Sequence, residues 1–178
     1  AILSASCKRI IAWSQCAADM QRDLLTELPS DTRDAILEKM IVLHPPQEPL
    51  VSQLINREYD TGKPIKFILV GNSFFRKGGR EILNAFEKLV YKESLPIKLV
   101  LVSSLRLDPY ATQETPEDLV WAKQRVTENV DWIEHYQDLP NDETLELIKS
   151  CDVGLLPTWA DTYGLSVLES QACGCPVI

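Results

Sequence analysis

Two runs, IKFILV (65–70) and IKLVLVS (97–103), each place one lysine near their start and then stay apolar without alternation. A strand reads this way when both of its faces are covered, which happens in parallel sheets whose crossover helices pack on either side. Each run is followed by a loop and a helical pattern. GREILNAFEKLVYK (79–92) puts Ile82, Leu83, Phe86, Leu89 and Val90 on one face, and PEDLVWAKQRV (116–126) has Pro116 in its first turn. VDWIE (130–134) supplies a third strand, and Asn141 stands where it would cap the helix DETLELIKSC. DVGLLP (152–157) reads as a fourth strand, LSVLESQAC (165–173) as a helix, and the closing PVI as the start of another strand. The alternation predicts an α/β fold: a Rossmann-like open parallel sheet with helices on both faces and right-handed crossovers.

The first part of the chain repeats the theme on a smaller scale. RIIAW (9–13) is a strand, Ser14 an N-cap, and QCAADMQRDLL (15–25) a helix with Ala17, Met20 and Leu24 on one face. Pro29 and Ser30 open a second helix, DTRDAILEKM, which runs into the strand MIVLH before Pro45 and Pro46. Residues 45–64 hold four of the eleven prolines and no sustained periodicity, as a linker does. The expected organisation is therefore a strand-and-helix unit over 1–44, a linker over 45–64 and a larger unit over 65–178. A chain without an initiator Met that ends within an apolar run, CPVI, reads as part of a longer protein, truncated at both ends.

Composition narrows the function. With 178 residues and 45% apolar content the chain can bury a core. Its 18 basic against 26 acidic residues give a net charge of −8, which argues against a nucleic-acid partner. No apolar run approaches the roughly 18 residues that span a bilayer, and no signal peptide is visible. Five cysteines without a C-x-x-C pair, and only two histidines, predict reduced thiols in a cytoplasmic setting and no metal site.

Ligands of such sheets bind at the carboxyl ends of the strands. After the first long strand comes GNSFFRKGG (71–79), in which Gly71 lets the chain turn off the strand. Gly78 and Gly79 are placed to bring backbone amides close to a ligand at a helix N-terminus, beside Arg76 and Lys77. That suits a phosphate or diphosphate, and it equally describes a glycine-rich turn with solvated basic residues. The second loop, PTWADTYGLSVLES (157–170), separates Asp161 and Glu169 by seven residues, with Gly164 where a helix begins. The two carboxylates can accept hydrogen bonds from sugar hydroxyls while the amides of Gly164, Leu165 and Ser166 hold phosphates. Taken alone, they read more readily as a surface Asp and a helix Glu near the positive end of the dipole. With the helix starting near Leu165, Leu165, Leu168 and Ala172 are expected to face the core. His135 and Tyr136 follow a strand on the same edge, Trp159 is the one tryptophan placed to stack on a sugar, and Cys173 and Cys175 read as core thiols.

GNSFFRKGGREILNAFEKL, KLVLVSS and ETLELIKSCDVGLLPTWADTYGLSVLESQACGCPVI together resemble the C-terminal, donor-binding domain of the group 1 (family 4) retaining glycosyltransferases, which have the GT-B fold. Members usually carry Glu, seven residues, Glu, then a small-residue helix and Gly-x-Pro-Val-Ile, which ACGCPVI reproduces. The resemblance implies that Lys77 contacts the donor diphosphate, that amides of Gly164, Leu165 and Ser166 hold its phosphates, and that Glu169 binds the ribose. Asp161 then reaches the transferred sugar, and Asp161 and Lys77 are the residues implied to serve catalysis. The wider donor site comprises Gly71, Asn72, Arg76, Gly78, His135 and Tyr136. Asp161 stands where the family usually has Glu, and Asn72 where it usually has Arg, with Arg76 placed to substitute.

By the same resemblance, the parent protein transfers a sugar with retention from a nucleotide-diphosphate-sugar donor to an acceptor hydroxyl, without metal or cofactor, as in polysaccharide biosynthesis. The acceptor is a glycan, lipid or small molecule held by a domain mostly absent here, of which 1–44 is a remnant and through which a peripheral membrane contact is an option. This chain alone is expected to turn over little. The alternative is a non-catalytic GT-B-like structural or regulatory module in which Asn72 and Asp161 have weakened donor binding. A nicotinamide dehydrogenase would need G-x-G-x-x-G after the first long strand, and that motif is missing.

Overall fold

The computed structural model describes residues 2–51, 60, 62–107, 113–159, 161 and 163–178. The chain forms two compact units, Ala1–Pro46 with Asp161–Tyr163, and Gln47–Ala160 with Gly164–Ile178. The centre of the expected linker, residues 52–59 with Thr61, lies outside the described residues.

In the first unit β1 (Ile10–Ala12) pairs in parallel with β2 (Met40–Val42), and α1 (Gln15–Leu24), a short 3-10 turn (Leu25–Glu27) and α2 (Ser30–Leu37) connect them. Ser14 caps α1 as expected, its hydroxyl accepting from the Ala17 amide at 3.0 Å. The packed face of α1 differs from the expected one. Ala18 is fully buried where the helix lies against the strands, whereas Met20 and Leu24 are 52% and 67% exposed. A small residue at the contact lets the helix axis approach the two-stranded sheet, and the longer side chains are turned away.

The second unit is a parallel sheet of order β5-β4-β3-β6, built from β3 (Ile65–Val70), β4 (Ile97–Val102), β5 (Ile133–Tyr136) and β6 (Val153–Leu155). Its helices are α3 (Gly79–Tyr91), α4 (Pro116–Glu128), α5 (Asn141–Lys149) and α6 (Leu165–Ala172). One face buries Leu69, Leu99, Leu101 and Ile133 against Ile82, Leu83 and Phe86 of α3 and Ala122 and Val126 of α4. The opposite face buries Ile68, Val100 and Val102 with Ile148, Cys151, Cys173 and Cys175. Both faces of β3 and β4 are covered, which is the physical reason those runs are apolar without alternation. Beyond β6, Val177 bridges Gly154 in parallel, so PVI extends the sheet as its sequence suggests.

Among the boundaries that differ from the sequence reading are those of β5 and α5. β5 starts at Ile133, because Val130–Trp132 form a turn closed by Trp132 N–H and Ile133 N–H on Asn129 O. Trp132 is buried there, stacked on Phe86 with ring centroids 6.0 Å apart. Asn141 does not cap α5; it is the first helical residue, and Pro140 occupies the cap. The start of α4 carries a reciprocal cap that the sequence reading does not include: Asp118 N–H donates to Thr115 Oγ1, and Thr115 N–H to Asp118 Oδ2. That backbone donor, and then the Arg80 guanidinium 2.7 Å from the carboxylate, hold Asp118 below the usual carboxylate range.

All five cysteines are free; Cys173 and Cys175 are buried, the core thiols expected, and Cys151 is buried with them. Burial pushes the Cys151 thiol up from 9.0 to about 11. The folded core favours the neutral thiol, so its contribution is intact below pH 9 and is lost as pH rises through 11. Melting temperature should fall between those values, with a shallower slope in Cys151→Ala, as read by circular dichroism; equal slopes would contradict this assignment.

Candidate functional site

Val70, Val102 and Tyr136 are in register across β3, β4 and β5, so the loops that follow leave from one edge of the sheet. Backbone bonds continue past the strand ends: Gly71 N–H donates to Val102 O at 2.9 Å, and Ser103 N–H to Tyr136 O at 3.0 Å. Along this edge lies a cleft of about 210 Å³ with Val70 and Val102 on its wall. Its polar lining includes Asn72, Asp138, Asn141, Thr144 and Glu169, beside Gly71. Three of the sequence-predicted residues, Gly71, Asn72 and Glu169, therefore share one cleft.

Lys77 reaches the same strand end. A β-carbon on Gly71 would stand 3.2 Å from Lys77 Cγ and 3.4 Å from its Cε, so the glycine makes room for the lysine stem to cross the end of β3. Gly78 and Gly79 act differently from their expected role of bringing amides to a ligand. Their N–H groups donate to Phe75 O and Phe74 O at 3.0 and 2.9 Å, closing the turn. Gly78 has φ 77°, and a β-carbon there would stand 2.2 Å from Pro157 O. The turn is thereby pressed onto the loop after β6. Arg76 completes the junction: its carbonyl accepts from Trp159 N–H at 3.0 Å and Thr158 Oγ1 at 3.1 Å, while its guanidinium donates to Ser73 Oγ.

At the start of α6, Gly164 is the cap in the left-handed region, and its carbonyl accepts from Val167 N–H. Leu165 and Ser166 are the first two residues of the helix, where amide hydrogens point out of the N-terminus. Leu165 is 45% exposed and does not face the core, whereas Ala172 does. The Ser166 hydroxyl is buried without a hydrogen-bond partner. One turn later Glu169 is half-buried, and its Oε1 accepts from Asn141 Nδ2 at 3.0 Å. Asn141 is a cleft residue absent from the sequence-based site, although its place after a strand, at the first turn of a helix, marks the correct edge.

His135 and Tyr136 are not among the residues that line the cleft. His135 Nε2 lies 2.8 Å from Ser103 O, and since a carbonyl only accepts, Nε2 carries the hydrogen. Tyr136 packs against the core cluster of Ile68 and Ile148 and lines a neighbouring open groove with Leu139. Asp161 belongs to the first unit and Glu169 to the second. Within the first unit, Tyr163 N–H donates to Asp161 Oδ1 at 3.3 Å, and the Tyr163 ring stacks on His44 at 5.8 Å between centroids. Trp159 is 76% exposed. Among the described residues no group of three or more His, Cys, Asp or Glu is placed to hold a metal ion, and no helix is long and apolar enough to cross a membrane.

Polar residues are thus gathered at the carboxyl edge of a parallel sheet, the place where open α/β folds bind their ligands. Residues 53–178 match the family model for glycosyl transferases group 1, and the chain belongs to that family. A D-inositol 3-phosphate glycosyltransferase of Stackebrandtia nassauensis is 47% identical over 36 residues, 20% of this chain and 8% of that protein. Among solved structures, a trehalose-6-phosphate structure from E. coli bound with UDP-2-fluoro glucose matches 96% of this chain and 45% of its own, with TM-score 0.64 and 14% identity. The apo lipopolysaccharide outer core galactosyltransferase WaaB matches 96% and 42%, with TM-score 0.59 and 14% identity. The pneumococcal O-GlcNAc transferase GtfA, in complex with UDP and GlcNAc, matches 96% and 29%, with TM-score 0.62 and 10% identity. The fold is the GT-B one that the sequence motifs imply, and this chain spans less than half the length of each of these relatives.

Gly78→Ala should cost about 2–4 kcal/mol, because it combines a left-handed backbone with overlap on Pro157. A urea midpoint unchanged from wild type would contradict this account of the loop junction.

Proposed function

We propose that the edge cleft of the second unit binds the nucleoside part of a nucleotide-diphosphate-sugar donor, and that the parent protein transfers the sugar with retention to an acceptor hydroxyl. The observation that carries this reading is the cleft itself, where the Glu169 carboxylate and Gly71 line one hollow and the Lys77 stem crosses Gly71. A volume of about 210 Å³ is below the roughly 300–1,000 Å³ of sites that enclose a whole drug-sized ligand, and it fits one portion of a donor. Two of the solved relatives carry UDP or a UDP sugar, which supports a ligand of the same kind here.

In this reading Glu169 accepts hydrogen bonds from the ribose hydroxyls. The Leu165 and Ser166 amides, with the α6 dipole, hold the phosphates. Lys77 brings a positive charge to the diphosphate, where negative charge grows as the sugar leaves; a donor already in place stabilises that charge without rearrangement. Asp161 positions the transferred sugar, and a same-face transfer asks no covalent nucleophile of the enzyme. The reaction so assigned uses neither metal nor cofactor. The acceptor, a glycan, lipid or small molecule, is bound by the part of the parent protein to which the first unit belongs, on the cytoplasmic side. A second reading, a non-catalytic GT-B-like module, is favoured by Asn72, which puts a neutral amide in the cleft.

Calorimetric titration with UDP, GDP and ADP separates the two. Saturable binding of one diphosphate, weakened about tenfold or more in both Lys77→Ala and Glu169→Ala, is expected of a donor site. Absence of binding at millimolar ligand would favour the non-catalytic module.

A further inference from the structure

α5 and α6 are joined at two levels. Asn141 Nδ2 donates to Glu169 Oε1 at 3.0 Å, and Cys173 Sγ donates to Leu145 O at 3.6 Å. The contacts are four residues apart on each helix, so both belong to the faces along which the helices adjoin. The lower contact is buried at Cys173, and the upper one opens into the cleft.

The backbone that carries Asn141 is firmly set. Pro140 precedes it, and Thr144 returns both its amide and its hydroxyl to Pro140 O at 2.9 Å. A neutral amide therefore points from a fixed helical turn at a carboxylate on another helix. Glutamate has a long side chain, and fixing it on ligand binding is entropically costly. Holding Oε1 before the ligand arrives reduces that cost and leaves Oε2 to accept from a hydroxyl. An amide does this without adding charge, so Glu169 keeps the acceptor character that hydroxyl recognition needs.

We propose that Asn141 is a positioning residue that orients Glu169 toward the ribose hydroxyls and so sets the preference of the cleft for ribonucleotides over their deoxy analogues. This rests on the reading of the cleft as the donor-nucleotide site. Asn141 does not itself touch the reacting atoms; it acts through Glu169.

The test titrates the 178-residue chain with UDP, GDP and ADP and with their 2′,3′-dideoxy forms. Asn141→Ala should weaken binding of the preferred ribonucleotide about 5–10-fold and leave its dideoxy form unchanged. Asn141→Ala/Glu169→Ala should bind no more weakly than Glu169→Ala alone. Asn141→Asp should weaken ribonucleotide binding more than Asn141→Ala, because two carboxylates then face each other. An acidic residue in the first turn of α5 suits the helix dipole, so its melting temperature should not fall. Equal losses for ribo and dideoxy ligands, or additive losses in the double variant, would overturn the proposal by showing a merely structural role. Wild-type affinity in Asn141→Ala would overturn it while leaving the donor site standing. Failure of the wild type to bind any of the three diphosphates would overturn the donor-site reading and this inference with it.

Discussion

Six consecutive residue pairs, from Ile65 with Ile97 to Val70 with Val102, hold β3 and β4 parallel and end both strands at one level. Everything at the candidate site depends on that register. A shift of one residue would exchange the two faces, turning Leu69 and Leu101 away from α3 and α4 and setting Ile68 and Val100 against the wrong helices. Because each face is filled by a different set of side chains, the register is fixed by burial on both sides. β5 and β6 join on either flank, and Asp152 locks the start of β6 by accepting from Lys66 N–H at 2.8 Å.

With the edge fixed, the loops above it are held by contacts that demand small residues or exposed carbonyls. Gly78 against Pro157, and Arg76 O with Trp159 and Thr158, join the loop after β3 to the loop after β6. Gly71 admits the stem of Lys77, and Asn141 steadies Glu169. The cleft is thus bordered by groups whose positions are set before any ligand is present, which is the condition under which fixed charges and dipoles act most strongly on developing charge.

The strands and the face of α3 were legible in the sequence because their signals are local and repeated: an unbroken apolar run, or apolar residues at helical spacing. Glu169 and Gly71 were legible for another reason, since the end of a strand and the start of a helix can be located from pattern alone, and topology then puts them on one edge. The rest depends on partners far along the chain. The Asn141 hydrogen bond spans 28 residues, and the Arg76 contact with Thr158 spans 82. Neither leaves a local mark. The glycines at 78 and 79 resembled a phosphate cradle because such a cradle and a close-packed turn both require residues without a side chain. α1 misled in the opposite direction: Met20 and Leu24 carry the apolar signal, while the contact is made by Ala18, which any periodicity reading weighs lightly.

The central claim, that the carboxyl edge of the second unit is the donor-nucleotide site, is tested most directly by solving the chain with a nucleoside diphosphate bound. The account predicts ribose hydroxyls on Glu169 with Asn141 still donating to it, and the diphosphate between Lys77 and the first amides of α6. A ligand bound away from the cleft, or a cleft in which Glu169 makes no contact with the ribose, would contradict it.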